Sequence, residues 1–297
     1  MPEIKFIDSG DPKHGSGQGS HLAAAVMAVA LSVGPVEVTA KRPKRAKPEP
    51  TRRGNPNQLT RKQHVFPLKT MEQFAENDHV SVCFIARGEV RPAKIDNPLF
   101  SARRAWDQRA ESGYMKRIED EFQSIVAPTI NGTVGEVTSK QKAAIDRMYA
   151  LWYIRARSRD LEEQEIQLNS VSGYALTKEQ EENLEANGYM FARADGKLPA
   201  RQLNCLQIQM FIDHYTPALA AARWGVITAQ SGEFIVPNVP SDMIIPVSPR
   251  LALVGSAQDG VITEQNLAEI NRAARRASQE YFFAHDLLNA PGCEADS

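Results

Sequence analysis

The chain has 297 residues, 42% hydrophobic and 24% charged, with 35 Lys and Arg against 36 Asp and Glu and a formal net charge of -1. Such a chain can bury a sizeable core, in one large domain or two small ones, and its balanced charge excludes a molecule-wide electrostatic bias toward nucleic acid or membrane. Its three cysteines, Cys83, Cys205 and Cys293, are far apart and form no CxxC pair, which argues against a disulfide framework or a cysteine zinc site and makes a reducing cytoplasm the expected compartment.

Residues 1–62 read as a tail. Gly15, Gly17 and Gly19 alternate with polar residues, a flexible composition. The Ala- and Val-rich stretch from His21 to Val33 is too short to span a bilayer, so no membrane span is expected. It also lacks the basic start of a secretion signal; a start further in, at Met27, is the other reading. Lys41, Arg42, Lys44, Arg45, Lys47, Arg52 and Arg53 follow, interleaved with Pro43, Pro48 and Pro50. Proline denies this stretch a helix and the charge keeps it solvated. It is either an arm for a phosphate backbone, with nucleic acid as the partner, or for anionic lipid, or else a solvated linker.

The globular domain is expected over 63–288, with a terminal tail at 289–297. Val80 to Ala86 reads as a strand that turns at Arg87-Gly88 and returns over Glu89 to Ile95, and Asp96-Asn97-Pro98 stops it. Phe100 to Ala127 reads as a long helix, with Ile118, Phe122, Ile125 and Val126 at helical spacing. Thr138-Ser139-Lys140-Gln141 and Thr177-Lys178-Glu179-Gln180 have the form of capping boxes. They open a helix to about Arg159 and a short one ending at Asn187-Gly188. Pro199 to Ala222 is a further helix, bent near Pro217. Trp224 to Thr228 and Glu233 to Val236 read as strands joined around Ser231-Gly232, and Leu251 to Val254 as a third. Thr263 to His285 reads as a final helix. The order predicts an α+β fold: a mainly helical single domain with a small, mostly antiparallel sheet.

No P-loop, dinucleotide fingerprint or Gly-x-Ser-x-Gly elbow occurs. The candidate chemistry is dispersed. His64 follows Gln63 at the start of the domain; it is a proton carrier or metal ligand, or else a structural ring bonded to a carbonyl. Gln63 cannot titrate and would position. Glu119, within Glu119-Asp120-Glu121, belongs to a solvated face or sits at the edge of the buried face as an acid or ligand. Arg155, Arg157 and Arg159 end a helix, where the dipole alone favours cations; one pointing inward would hold a phosphate or carboxylate. Asn238 and Asp242 lie in a proline-stiffened loop, with Ser248 and Arg250 beyond; loop sites and plain turn chemistry both fit. His79, His214 and His285 lack metal-ligand spacing and read as structural or exposed.

These segments together resemble a bacterial family, domain of unknown function family 4238. The resemblance rests on Gln63-His64-Val65-Phe66-Pro67, the Ile118-Glu119 pair, Arg157-Ser158 (with Arg155 as the other candidate), and Pro246-Val247-Ser248-Pro249, and it covers roughly residues 60 to 285. It implies Arg157 as the inward arginine. It also implies that Pro237 and Asn238 stand where the family has Ser and Asp, with Asp242 a compensating acid. The family has no assigned activity. The expectation is a phosphodiester-acting hydrolase, a nuclease or toxin-like effector, with His64, Gln63, Glu119, Arg157 and Asn238 as catalytic positions. Arg155, Asp242, Ser248 and Arg250 would bind substrate, and a divalent metal is admitted without a ligand motif. The alternative is a non-catalytic ligand- or partner-binding module in which the same residues are structural.

Overall fold

The computed structural model describes residues 49–132, 137–159, 165–167 and 173–293. The glycine-rich start, the His21–Val33 stretch and Lys41, Arg42, Lys44, Arg45 and Lys47 lie outside the described residues.

The fold is α+β, rich in helix, with small and mostly antiparallel sheets. Strand β1 (Gln63–His64) pairs with β4 (Ser101–Ala102). Helix α1 (Leu68–Met71) starts after Pro67, and β2 (His79–Phe84) and β3 (Glu89–Lys94) form the expected hairpin. Helices α2 (Lys116–Ile130) and α3 (Ser139–Ser158) follow, then β5 (Ile166–Gln167), α4 (Lys178–Ala186), β6 (Lys197–Leu198) and α5 (Ala200–Tyr215). The last part holds β7 (Trp224–Ala229), β8 (Val236–Pro237), β9 (Ile244–Ser248), β10 (Leu251–Gly255), β11 (Gly260–Ile262), α6 (Glu264–Ala277) and β12 (Tyr281–Ala284).

The capping boxes are as read. Thr138 Oγ1 accepts the Gln141 amide and Gln141 Oε1 accepts the Thr138 amide, and Thr177 and Gln180 repeat the exchange. Each pair satisfies two helix-end donors that have no partner within the helix. Gly188, at φ +79°, closes α4 in the left-handed region.

Two four-stranded sheets carry the strands, in the orders β3-β2-β12-β8 and β11-β7-β10-β9. Only the β11–β7 pair within them is parallel. The main core lies between helices α2, α3 and α5 and both sheets, and includes Val82, Phe122, Met148, Trp152, Ile212, Ile245, Leu253 and Phe283. The residues of β12 are all buried. Tyr281 and Phe283 face that core, while Phe282 and Ala284 pack with Ile235 and Ala274 on the other side, as alternation along a strand requires.

The structure corrects the sequence reading at several points. Residues 49–62 are not a free tail: Leu59 is buried, and the Arg52 amide donates to Glu182 Oε1 at 2.6 Å. Residues 289–293 pack as well, with Ala290 buried and Asn271 Nδ2 donating to the Pro291 carbonyl at 3.0 Å. No helix starts at Phe100. The chain first makes β4, because its backbone bonds to β1, and the helical path begins at Gln108 under the cap of Asp107, whose Oδ1 accepts the Ala110 amide at 2.9 Å. Strands β7 and β8 are not a hairpin. Gly232, at φ +75°, passes the chain to the other sheet, where β8 pairs with β12. The final helix stops at Ala277, and Tyr281–Ala284 is a strand.

Candidate functional site

Successive residues of a strand point to opposite faces, so β1 splits the Gln63-His64 pair. Gln63 is buried, and its Nε2 donates to the Trp106 carbonyl at 2.8 Å while its Oε1 accepts the Trp106 amide at 3.3 Å. Its whole amide is engaged in holding the Trp106 backbone. His64 is half-buried, with Nε2 3.3 Å from the Ile95 carbonyl. Burial pushes its ring below the ordinary imidazole range. The Ile95 carbonyl and the Glu119 charge oppose that push, and the charges of Arg155 and Lys62 reinforce it.

Arg155 is the centre of this region. Helix α3 buries Leu151, Trp152, Arg155, Ala156 and Ser158, and leaves Arg157 exposed. With 3.6 residues per turn, Arg155 follows Leu151 and Trp152 on the same face and Arg157 lands outside it. The inward arginines are therefore Arg155 and Arg159, not Arg157. Arg157 instead lies over the Tyr153 ring, 4.5 Å from its centroid. Arg155 donates from Nη1 to Glu119 Oε1, and its Nη2 lies 3.6 Å from Glu111 Oε2. Its guanidinium stands 5.3 Å from the centroid of Trp106, whose Nε1 donates to Glu111 Oε2 at 2.5 Å.

Glu111 belongs to a turn of π-helix, Ala110–Met115, that leads into α2, and Glu119 sits two turns on at the edge of the buried face. Single π turns of this kind recur at functional sites. Burial raises the Glu111 carboxyl above the usual range, against the pull of Arg155 and the Trp106 donor, and the neighbouring Glu119 charge adds to the rise. One turn further along α3, Arg159 donates from Nη2 to the Leu99 carbonyl at 3.0 Å and pairs with Glu280 at 3.6 Å. Ser101, the register partner of His64, has a buried Oγ without a hydrogen-bond partner among the described residues.

Of the expected site residues, the structure thus gathers His64, Glu119 and Arg155, with Gln63 behind them. The others are elsewhere. Asn238 is buried and its Oδ1 accepts the amides of Gln279 at 2.8 Å and Glu280 at 3.3 Å, so it shapes the entry to β12. Asp242 is exposed in a tight turn at φ +52°. Ser248 ends β9. Arg250 donates to the Ala229 carbonyl from Nε at 3.2 Å and from Nη2 at 2.9 Å. Ser101, Trp106 and Glu111 were not nominated as site residues from the sequence, and Arg159 was weighed there only as one of three arginines at a helix end. Reading one helix from Phe100 hid Ser101, Trp106 and Glu111; Trp106-Asp107, an N-cap acid after an aromatic, was the available signal.

Among the described residues no three His, Cys, Asp or Glu side chains gather as a metal site requires, and no helix is long and apolar enough to cross a membrane. An open groove of about 470 Å³ runs beside Lys142, Asp146 and Asp213. It lies roughly 14 Å along α3 from Arg155, and Asp146 there is already bonded to Trp224 Nε1 at 2.7 Å. No protein-family model, no curated protein and no solved structure matches this chain.

Proposed function

We propose that the chain is a non-catalytic ligand- or partner-binding module whose polar motifs hold its fold. The observation that carries this reading is the state of Arg155. Its guanidinium already faces two carboxylates and an aromatic ring. A phosphodiester would meet no uncompensated cation there, and the one Arg155 donor without a partner, Nε, is buried. Gln63, Asn238 and Arg250 are engaged by backbone groups in the same way. The test is to assay the folded protein against bis(p-nitrophenyl) phosphate and single-stranded DNA, with and without Mg²⁺ or Mn²⁺. The expected result is no turnover, and a lowered melting temperature in Gln63→Ala and Arg155→Met.

One observation favours a second reading, the phosphodiester-acting hydrolase. The unpartnered hydroxyl of Ser101 lies across the strand pair from His64, a ring whose proton affinity is lowered by burial and which feels the Glu119 charge. In that case His64 takes the proton of the attacking hydroxyl or water, and Glu119 steadies the imidazolium. Hydrolysis that disappears in His64→Ala while the melting temperature is kept would replace the first reading with this one. Membership of family 4238 is compatible with both and is proposed on the sequence motifs alone.

A further inference from the structure

On α4 and α5, away from His64, lies a second polar cluster, and its centre is a residue of the segment that precedes the domain. The Glu49 carboxylate accepts from Arg201 Nη1 at 2.5 Å, from Arg193 Nη2 at 2.8 Å and from Lys178 Nζ. The Glu49 carbonyl accepts from Arg104 Nη1 at 3.0 Å. Burial, the largest single effect, pushes the carboxyl up, but Arg201 and Lys178 together hold it down to about 2.

The cations are positioned without Glu49. Arg193 forks onto Glu181, with Nε at 2.7 Å and Nη2 at 2.9 Å, and also bonds Glu165. Arg201 places Nε 2.9 Å and Nη2 2.8 Å from Glu185, which also accepts from Arg104 at 2.8 Å. Arg201, Arg104 and Glu185 are buried. The Arg193 fork fixes its guanidinium plane in advance, and Arg201 is held by one hydrogen bond from Nε to Glu185 Oε2. Without Glu49, Arg104, Lys178, Arg193 and Arg201 face Glu165, Glu181 and Glu185, and positive charge is in excess.

The segment carrying Glu49 is held mainly by polar contacts. Its Arg52 amide bonds Glu182, Arg52 Nη1 lies 3.1 Å from Glu179, and the Thr60 amide donates to Gln108 Oε1 at 2.7 Å. Leu59 is its one buried apolar side chain among residues 49–60. An incoming anion can replace the Glu49 carboxylate on its cations, while the buried Leu59 keeps the segment's far end anchored.

We infer that Lys178, Arg193 and Arg201 form a carboxylate-binding site, that Glu49 is its resident occupant in cis, and that residues 49–58, ahead of the buried Leu59, are a displaceable strap. The ligand in trans is a carboxylate group. This stands apart from the reading of His64 and holds whichever of the two functions is correct.

The test is chemical rescue in the full-length protein. Glu49→Ala is expected to lower the melting temperature. Sodium acetate, against sodium chloride at equal ionic strength, is expected to raise it again by about 3 °C per tenfold increase above the dissociation constant. Wild type should respond to the two salts alike, and Glu49→Ala combined with Arg201→Met should lose the rescue. Equal effects of acetate and chloride on Glu49→Ala, or an equal rise in wild type, would overturn the inference. Inorganic phosphate that rescues more strongly than acetate would overturn its carboxylate class. Should Glu49→Ala fail to fold, Glu49→Gln keeps the shape without the charge, and the same comparisons decide.

Discussion

Arg155 and Arg157 are two positions apart on one helix and have opposite surroundings. Arg155 compensates Glu111 and Glu119, so Arg155→Met leaves two carboxylates facing each other in a largely dry site; the expected loss is about 3–5 kcal/mol. Arg157→Met removes a surface contact with one ring and is expected to cost under about 1 kcal/mol. Urea unfolding of the two variants measures both, and equal losses would contradict the placement. The neighbouring His64 gives a pH signature. Burial holds its folded value below the ordinary 6.5, so as the pH falls the unfolded chain takes up the proton first. Stability from this group is complete above about 6.5 and is lost as pH falls through the folded value. His64→Gln is therefore expected to flatten part of the decline in the urea midpoint between about pH 7 and pH 5. An unchanged slope would show that His64 titrates as freely in the fold as out of it.

Elements defined by local contacts were legible. A Thr followed three residues later by Gln announced α3 and α4, because both partners of the capping box lie within one turn. The β2–β3 hairpin was visible for the same reason. Strand β12 was not, because nothing within Tyr281–Ala284 distinguishes the end of a helix from a strand. What decides it is distant: β2 on one side, β8 on the other, and Asn238 taking the two amides before it. The candidate site divides along the same line. Gln63 beside His64 could be read, but the Trp106 backbone and Glu111 that complete the region depend on β1 meeting β4. Asn238→Asp is expected to be tolerated, since a carboxylate oxygen also accepts both amides. Asn238→Leu removes the shared acceptor of both amides and is expected to cost about 1 kcal/mol. Thermal unfolding compares the two, and a tolerated Leu would remove Asn238 from its place in the turn.

At the scale of the whole molecule, the two four-stranded sheets are joined through Gly232. Its φ of +75° suits glycine, and a Cβ there would stand 2.9 Å from Pro291 Cδ and 3.0 Å from Leu267 Cδ2. Gly232→Ala is expected to lower stability by at least about 1 kcal/mol, through the strained backbone and the crowding against the packed 289–293 segment. A variant that melts with wild type would show that this junction yields. The helical layer and the sheets were foreseeable in kind from the composition and order of segments. Their docking was not, because it is set by side chains such as Trp152 and Phe283 that meet only after the chain has folded.

The place of β12 in its sheet also sets an order of events in biosynthesis. Ser81 pairs with Ala284 and Phe84 with Tyr281, so the β2–β3 hairpin emerges from the ribosome long before its central neighbour exists. At a translation rate of about 5–20 residues per second, that delay amounts to roughly ten seconds or more. Until then the edge of β2 is open to pairing with other chains. Newly made protein is at its most vulnerable during that interval, and a chaperone that shields a bare strand edge would act on the nascent form while having no purchase on the finished one.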